Sequence, residues 1–145
     1  MNFEQAHRYF LSKPEATEDF PFYPDVPVFK IRGKMFGLLS YGSKGKANAE
    51  IARMNLKCDP EQALTLRFFF DAVKPGYHMN KKHWNTVMLD GSVPEYDLRQ
   101  MIDHSYALVV KGLKKSERRS LELAYGTEAL YGSTAPMENT PTTGK

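Results

Sequence analysis

The stretch KPGYHMNKKHWNTVMLDG, residues 74–91, decides the fold of this 145-residue chain. It contains two histidines, the only tryptophan and two adjacent lysines, and it becomes apolar at TVML. The composition of residues 84–89 predicts a β-strand, and Lys74-Pro75-Gly76 predicts a break in the chain before it. Polar and aromatic groups concentrated in this way indicate a surface that holds a ligand.

Three further strands are predicted ahead of this segment. Residues 28–31 and 35–39 flank Arg32-Gly33-Lys34, a pattern that predicts a β-hairpin with Gly33 at positive φ. Residues 51–57 alternate, so Arg53 and Lys57 share one face of their strand. The same alternation places Lys30 and Arg32 together. Each of two strands therefore presents a pair of cations from one side.

Helices are predicted on both sides of these strands. Residues 3–12 have apolar side chains at helical spacing. A second helix begins at Asp59 as N-cap, with Pro60 in the first helical position and Gln62 closing a capping box. Between the first helix and the hairpin, residues 19–27 contain three prolines and predict an extended connection.

The third helix is predicted to start with a second capping box at Ser92. An apolar stripe follows over residues 98–112, with Ala107 on the opposite face. Helices around antiparallel strands predict an α+β fold, a two-layer sandwich of an antiparallel sheet with helices. Residues 1–115 form the predicted domain. Residues 116–145 are expected to be an accessory helix and a polar, disordered tail.

Composition predicts a cytoplasmic protein. Cys58 is the only cysteine, which excludes an internal disulfide and fits a reducing compartment. The first ten residues lack the apolar core of a secretory signal, and no apolar run approaches the length of a membrane span. We expect a monomer or a weak homodimer.

The cations are unevenly distributed along the chain. Seven of the 20 lysines and arginines lie within residues 30–57, against one acid, Glu50. Such clustering creates a positive potential that attracts phosphate, although lysines at a sheet edge also prevent edge-to-edge pairing. The net charge of +3 and the pI of about 8.9 are low for a dedicated DNA-binding domain.

The sequence predicts neither a metal site nor catalytic machinery. His78 and His83 are five residues apart, which suits neither a helical nor a strand pair of ligands, and one cysteine cannot form a thiolate cluster. No phosphate-binding loop pattern and no nucleophile elbow is present. We therefore expect no cofactor and no enzymatic activity.

Four segments resemble the MmcQ/YjbR family of small bacterial proteins: PDVPVFKIRGKMFGLL (24–39), NLKCDPEQALTLR (55–67), PGYHMNKKHWNTVMLDGSVP (75–94) and LRQMIDHSYALVVKGL (98–113). The resemblance implies a two-layer α+β fold related to that of CyaY, the frataxin-like arrangement. It also implies DNA binding through a double-wing motif. The family pattern does not explain the loop 41–50 or the tail beyond residue 115.

Two hypotheses about function follow. In the first, a basic sheet face and the segment 78–85 bind DNA, with the hairpin and the loop 41–50 as wings. The residues expected to contact DNA are Lys30, Arg32, Lys34, Arg53, Lys57, Lys81, Lys82, His83, Trp84 and Asn85, with Lys44 and Lys46 in the second wing. In the second, an adaptor binds a small molecule or protein and no nucleic acid. Its pocket is expected to comprise Tyr77, His78, Trp84, Phe22 and Tyr23, with Phe20 nearby.

Overall fold

The computed structural model describes residues 1–42 and 50–132. The predicted loop cations Lys44 and Lys46 and the predicted disordered tail lie outside these residues. The described chain forms helices and strands in the order α1 Phe3–Leu11, β1 Thr17–Asp19, β2 Val28–Ile31, β3 Lys34–Tyr41, β4 Ala52–Lys57, α2 Pro60–Phe69, β5 Val73–Pro75, β6 Trp84–Met88, α3 Glu95–Lys111, α4 Lys115–Tyr125 and α5 Thr127–Tyr131. The predicted α+β class is confirmed.

The strands form one antiparallel sheet in the order β1-β2-β3-β4-β6-β5. The predicted hairpin joins β2 to β3, and its turn consists of Arg32 and Gly33 with φ of 52° and 82°. Two left-handed residues match the twist of the flanking strands, so the glycine prediction is confirmed. Arg32 lies in the turn, however, so the prediction that it continues the face of Lys30 is wrong.

The core lies between one face of the sheet and the helices. Phe10 of α1 is fully buried and stacks on Phe29 of β2, with ring centroids 4.3 Å apart. Gly37 of β3 lies directly beneath this ring, because a Cβ atom there would be 2.3 Å from Cε1 of Phe10. A residue without a side chain is therefore required where α1 crosses the sheet.

Helix α3 is buried on two sides. One side of α3 faces β3 and β4, and α5 packs against the helix on another side. Ala107 was predicted to lie on the face opposite the apolar stripe but is buried, so the buried surface of α3 extends beyond that stripe. Leu121 of α4 and Leu130 of α5 belong to the same core, with exposures of 0% and 1%. The helical residues after position 115 therefore contribute to the stability of the sheet domain.

Two local predictions need correction and one is confirmed. Ser92 does not cap α3: both its N–H and its hydroxyl donate to Asp90, which holds it in the preceding turn, and α3 begins after Pro94. Lys74 and Pro75 belong to the edge strand β5, where proline is tolerated, so the predicted break before β6 begins only at Gly76 and covers residues 76–83. Asp59 does cap α2, accepting the Gln62 N–H at 3.2 Å.

Candidate ligand-binding cleft

The sheet face opposite the core is partly uncovered and carries polar side chains. Register pairs Leu38 with Asn55 and Asn55 with Thr86, while Ser40 lies opposite Arg53. We call this side of β3, β4 and β6 the open face. The sequence predicted the alternation in β4 that turns Arg53 and Asn55 toward it, and this prediction is confirmed.

A cleft of about 610 Å³ lies over the open face. Leu38, Ser40, Arg53 and Asn55 form its floor. Two loops and the end of β3 supply the remaining lining residues. One wall consists of Pro21, Phe22, Tyr23 and Val26, the other consists of Tyr77, His78 and Met79, and Tyr41 lies at the end of β3. We call this site the aromatic cleft. Its volume falls in the range of about 300–1,000 Å³ that is usual for small-molecule sites.

Hydrogen bonds from the sheet fix the wall at Tyr77. The Tyr77 N–H donates to Oγ1 of Thr86 at 2.8 Å, and Nδ2 of Asn55 donates to the Tyr77 carbonyl at 3.3 Å. The Thr86 hydroxyl donates in turn to Oδ1 of Asn55, and both side chains are buried. His78 follows in the left-handed region at φ 59°, with its ring 4.0 Å from that of Tyr77. The wall is thus part of the folded framework.

Gly76 allows this wall to approach β6 closely. A Cβ atom at Gly76 would lie 2.8 Å from Cβ of Trp84 and 3.0 Å from Cβ of Met79. The Gly76 N–H donates a hydrogen bond to the Trp84 carbonyl at 2.8 Å, and the Gly76 carbonyl accepts a hydrogen bond from Nζ of Lys81 at 2.9 Å. The PGYHMNKKHW sequence therefore forms a tightly packed turn that positions Tyr77.

Arg53 is the permanent cation of the described cleft lining. Its guanidinium carbon lies 4.7 Å from the centroid of the Tyr77 ring, and its Nε donates to Oγ of Ser40 at 3.5 Å. No Asp or Glu is among the described residues that line the cleft. A cation held over an aromatic face in this way gives the floor of the cleft a fixed positive charge.

Four residues of the predicted pocket come together in the structure. Phe22, Tyr23, Tyr77 and His78 all line the aromatic cleft, although two loops more than fifty residues apart supply them. Trp84 is not among the lining residues, and it is half-buried opposite Lys57 in the register. The floor residues were missed as pocket residues. Alternation placed them on one face, but nothing local indicated what would enclose them.

Two cations predicted to contact DNA are paired with acids. Nζ of Lys30 lies 3.1 Å from Oδ2 of Asp19, and Nε of Arg32 lies 2.8 Å from Oε1 of Glu15. Hydrogen bonds from these cations hold the pKa values of Asp19 and Glu15 below their ordinary values, and the bond to Glu15 raises the pKa of Arg32. These contacts partly neutralise the predicted basic face.

The remaining predicted contacts differ in exposure. Lys34 and Lys82 are exposed, whereas Lys57 and His83 are half-buried. Asn85 is 2% exposed and its Oδ1 accepts Nε of Arg67 at 2.7 Å, so the prediction that it contacts DNA is wrong.

Arg67 of α2 is a structural residue that the sequence did not reveal. Its Nη2 donates to the carbonyls of Lys81 and Trp84, so it fastens the segment before β6 from the helix side. The spacing of α2 gave no signal for this role, because the partners are backbone atoms of a distant loop.

Cys58 and His104 line a second cavity of about 100 Å³ on the helix side of the sheet. Burial raises the pKa of the Cys58 thiol to about 11 and lowers the pKa of His104, so both groups favour their neutral forms. Within residues 1–42 and 50–132, no cluster of three or more His, Cys, Asp or Glu side chains is placed to hold a metal ion. The same residues include no helix long and apolar enough to cross a membrane.

Fold and cleft define a class of small α+β proteins in which one antiparallel sheet has helices on one face and a ligand-sized cleft on the other. The YjbR family model matches residues 11–108, and the chain belongs to this family. It is similar to YbdF of Escherichia coli O157:H7, with 40% identity over 80% of this chain and 90% of YbdF. It is also 30% identical to YjbR of Escherichia coli strain K12, over 83% of this chain and 98% of YjbR. Both relatives are described as uncharacterized proteins.

Solved structures agree with the fold. A crystal structure of the Deinococcus radiodurans protein DR2400, with a DUF419 domain, matches with a TM-score of 0.70 and 36% identity, over 83% of this chain and 87% of that one. A crystal structure of a Pseudomonas syringae protein matches with a TM-score of 0.66 and 31% identity, over 74% of this chain and 98% of that one.

Proposed function

We propose that this chain is a non-enzymatic binding protein whose aromatic cleft takes a small organic molecule. The observation that carries the proposal is the convergence of Phe22, Tyr23 and Tyr77 around a floor that contains Arg53. Binding sites of this kind combine apolar and aromatic walls with a few polar groups that orient the ligand. The cleft has this composition, and its volume of about 610 Å³ accommodates a molecule of metabolite size.

The polar groups of the cleft support binding rather than catalysis. Ser40 is the hydroxyl of the floor, and its Oγ accepts a hydrogen bond from Arg53. A guanidinium remains protonated in proteins, so Arg53 cannot remove a proton from Ser40. Activation of a serine requires an adjacent general base, and the Arg53 contact does not provide one.

Ligand screening by thermal shift tests the proposal. Purified full-length chain is screened against a library of metabolites, and hits are repeated with Tyr77→Ser. We expect hits that raise the melting temperature of the wild type, because a ligand of the native state stabilises it by mass action. The same hits should have little effect on the variant. Phe68→Ser is the matched control, because Phe68 is an exposed aromatic residue of α2 and lies outside the cleft.

Two results of the screen would contradict this proposal. A wild-type profile that stays flat across a broad library would contradict it, as would hits that Tyr77→Ser and Phe68→Ser affect equally. In the second case the cleft would not be the binding site. Far-ultraviolet circular dichroism of both variants confirms that each remains folded.

DNA binding is a second candidate function, and one arrangement favours it. Trp84 and Lys57 lie opposite each other in the β4–β6 register, which places an aromatic ring beside a cation on the open face. Single-stranded nucleic acids bind to surfaces of this composition through stacking and phosphate contacts. Titration with single-stranded and duplex DNA at several salt concentrations tests it. We expect affinity to fall with salt and with Lys57→Ala. Weak binding that this substitution leaves unchanged would remove its support.

A further inference from the structure

We infer that the ligand of the aromatic cleft is a flat aromatic carboxylate, whose ring packs against the tyrosines and whose carboxylate binds Arg53. The inference rests on the proposed function, since it names the class of molecule for the same cleft. Three properties of the described residues support this ligand class: the charge of the lining, the state of the Arg53 guanidinium and the shape of the walls.

The charge of the lining selects an anion. Lys30 of β2 and Arg32 of the turn that follows it each have a carboxylate partner. Arg53 instead contacts neutral groups, the Tyr77 ring and the Ser40 hydroxyl, and no described carboxylate lies within ion-pair distance of it. Among the described residues this half-buried guanidinium has no counter-ion, so it raises the local potential, and an anionic ligand would complete the pair.

The position of the guanidinium selects a carboxylate. Ring contact with Tyr77 and the Nε bond to Ser40 hold Arg53 in one orientation. The two terminal nitrogens belong to the same planar group, and neither has a described hydrogen-bond partner. An arginine in this state presents parallel N–H groups that match the two oxygens of a carboxylate.

The walls select a flat ring. Phe22 and Tyr23 are 62% and 65% exposed, although both line the cleft, so their apolar faces remain in contact with solvent. Across the cleft, Tyr77 is 49% exposed and fixed through its backbone. A planar ligand between these rings would remove apolar surface from water on both of its faces, and offset stacking adds a further attraction.

A matched pair of probes tests this inference. Binding of 2-naphthoate and of 2-naphthamide to the full-length chain is measured by isothermal titration calorimetry. The two molecules share a ring system and a similar size, and differ in charge. We expect naphthoate to bind about tenfold more tightly or better, because hydrogen bonds to charged groups exceed neutral ones by about the energy that corresponds to this factor. Arg53→Gln should abolish the preference, and Phe68→Ser should retain it.

The results separate this inference from the proposed function. Equal affinity of the wild type for the acid and the amide would overturn the carboxylate inference, while binding that Tyr77→Ser abolishes would leave the cleft as the site. No binding of either probe would overturn the inference alone, because the metabolite screen decides the proposed function separately. The probe comparison on the wild type does not depend on Arg53→Gln folding, and Arg53→Lys provides a second variant. A lysine retains the charge but loses the paired donors, so the preference should fall to an intermediate value.

Discussion

Ser105 connects α3 to two strands, and replacing it with alanine tests this connection. The Ser105 side chain is fully buried; its Oγ donates to the Phe36 carbonyl at 2.6 Å and accepts the Lys57 N–H at 2.9 Å. The β2–β3 register pairs Phe29 with Gly37 and the next residue of β2 with Met35, so Phe36 has no opposite residue in β2. The serine hydroxyl therefore satisfies a backbone carbonyl at a β-bulge.

The expected loss follows from the two backbone groups. Ser105→Ala removes the partner of the Phe36 carbonyl and of the Lys57 N–H in a region that is closed to solvent. A buried polar group left without a partner costs about 1–3 kcal/mol. For two such groups we expect the free energy of unfolding to fall by about 2–6 kcal/mol, a large part of the about 5–15 kcal/mol that stabilises a typical domain.

Urea unfolding, followed by the fluorescence of the single tryptophan Trp84, measures this loss. The midpoint should fall with little change in the slope, because the surface exposed on unfolding stays nearly constant. Ser116→Ala in α4 is the control, since Ser116 is exposed and its replacement should change stability by about 0.5 kcal/mol or less. A loss of less than about 1 kcal/mol in Ser105→Ala would refute the reasoning, because the two groups would then have found other partners.

Three further outcomes are expected. Gly37→Ala should lower the free energy of unfolding by about 1–3 kcal/mol in the same urea experiment, because the added methyl group would overlap the ring of Phe10. Cys58 should react slowly with 5,5′-dithiobis(2-nitrobenzoate) in the folded state and accelerate as the pH approaches its pKa of about 11, since the thiolate is the reactive form. Burial lowers the pKa of His104 from 6.5, so protonation favours the unfolded chain and unfolding free energy should decline as the pH falls below 6.5. His104→Gln should weaken this decline.

Each of these predictions has a contradicting result. If Gly37→Ala has the same free energy of unfolding as the wild type, then α1 moves away from the sheet without destabilising the fold. A Cys58 reaction in the folded state as fast as that in urea would show that the thiol is accessible. If the free energy of unfolding of His104→Gln falls as much at low pH as that of the wild type, then other groups cause the pH dependence.

Sequence patterns predicted the parts of the fold that depend on neighbouring residues. Gly33 marked the hairpin turn and Asp59 marked the start of α2, because a positive φ and an N-cap each require particular residue types. The predicted cap at Ser92 was wrong because Asp90, two residues away, competes for its hydrogen bonds. The sequence pattern alone does not show whether Ser92 caps α3 or binds Asp90. The edge strands β1 and β5 were missed because three residues are too few to show a period.

The candidate site was harder to predict because its parts meet only in the tertiary structure. Alternation predicted the face of Arg53, but the enclosure of that face depends on Tyr23 and Tyr77, which come from distant loops. Charge clustering predicted a basic surface, yet the acids that pair with Lys30 and Arg32 precede the hairpin in the chain. Their proximity depends on β1 and on the turn before it. Linear charge counts contain no information about such pairs.

The ends of the sheet have a consequence for self-association. β1 and β5 are its outermost strands, each has three residues, and β5 contains Pro75, which lacks an N–H. An incoming polypeptide would find few free amides and carbonyls to extend the hydrogen-bonded ladder. Sheet growth into filaments is therefore disfavoured at both margins, and a dimer of this chain would have to form through side chains.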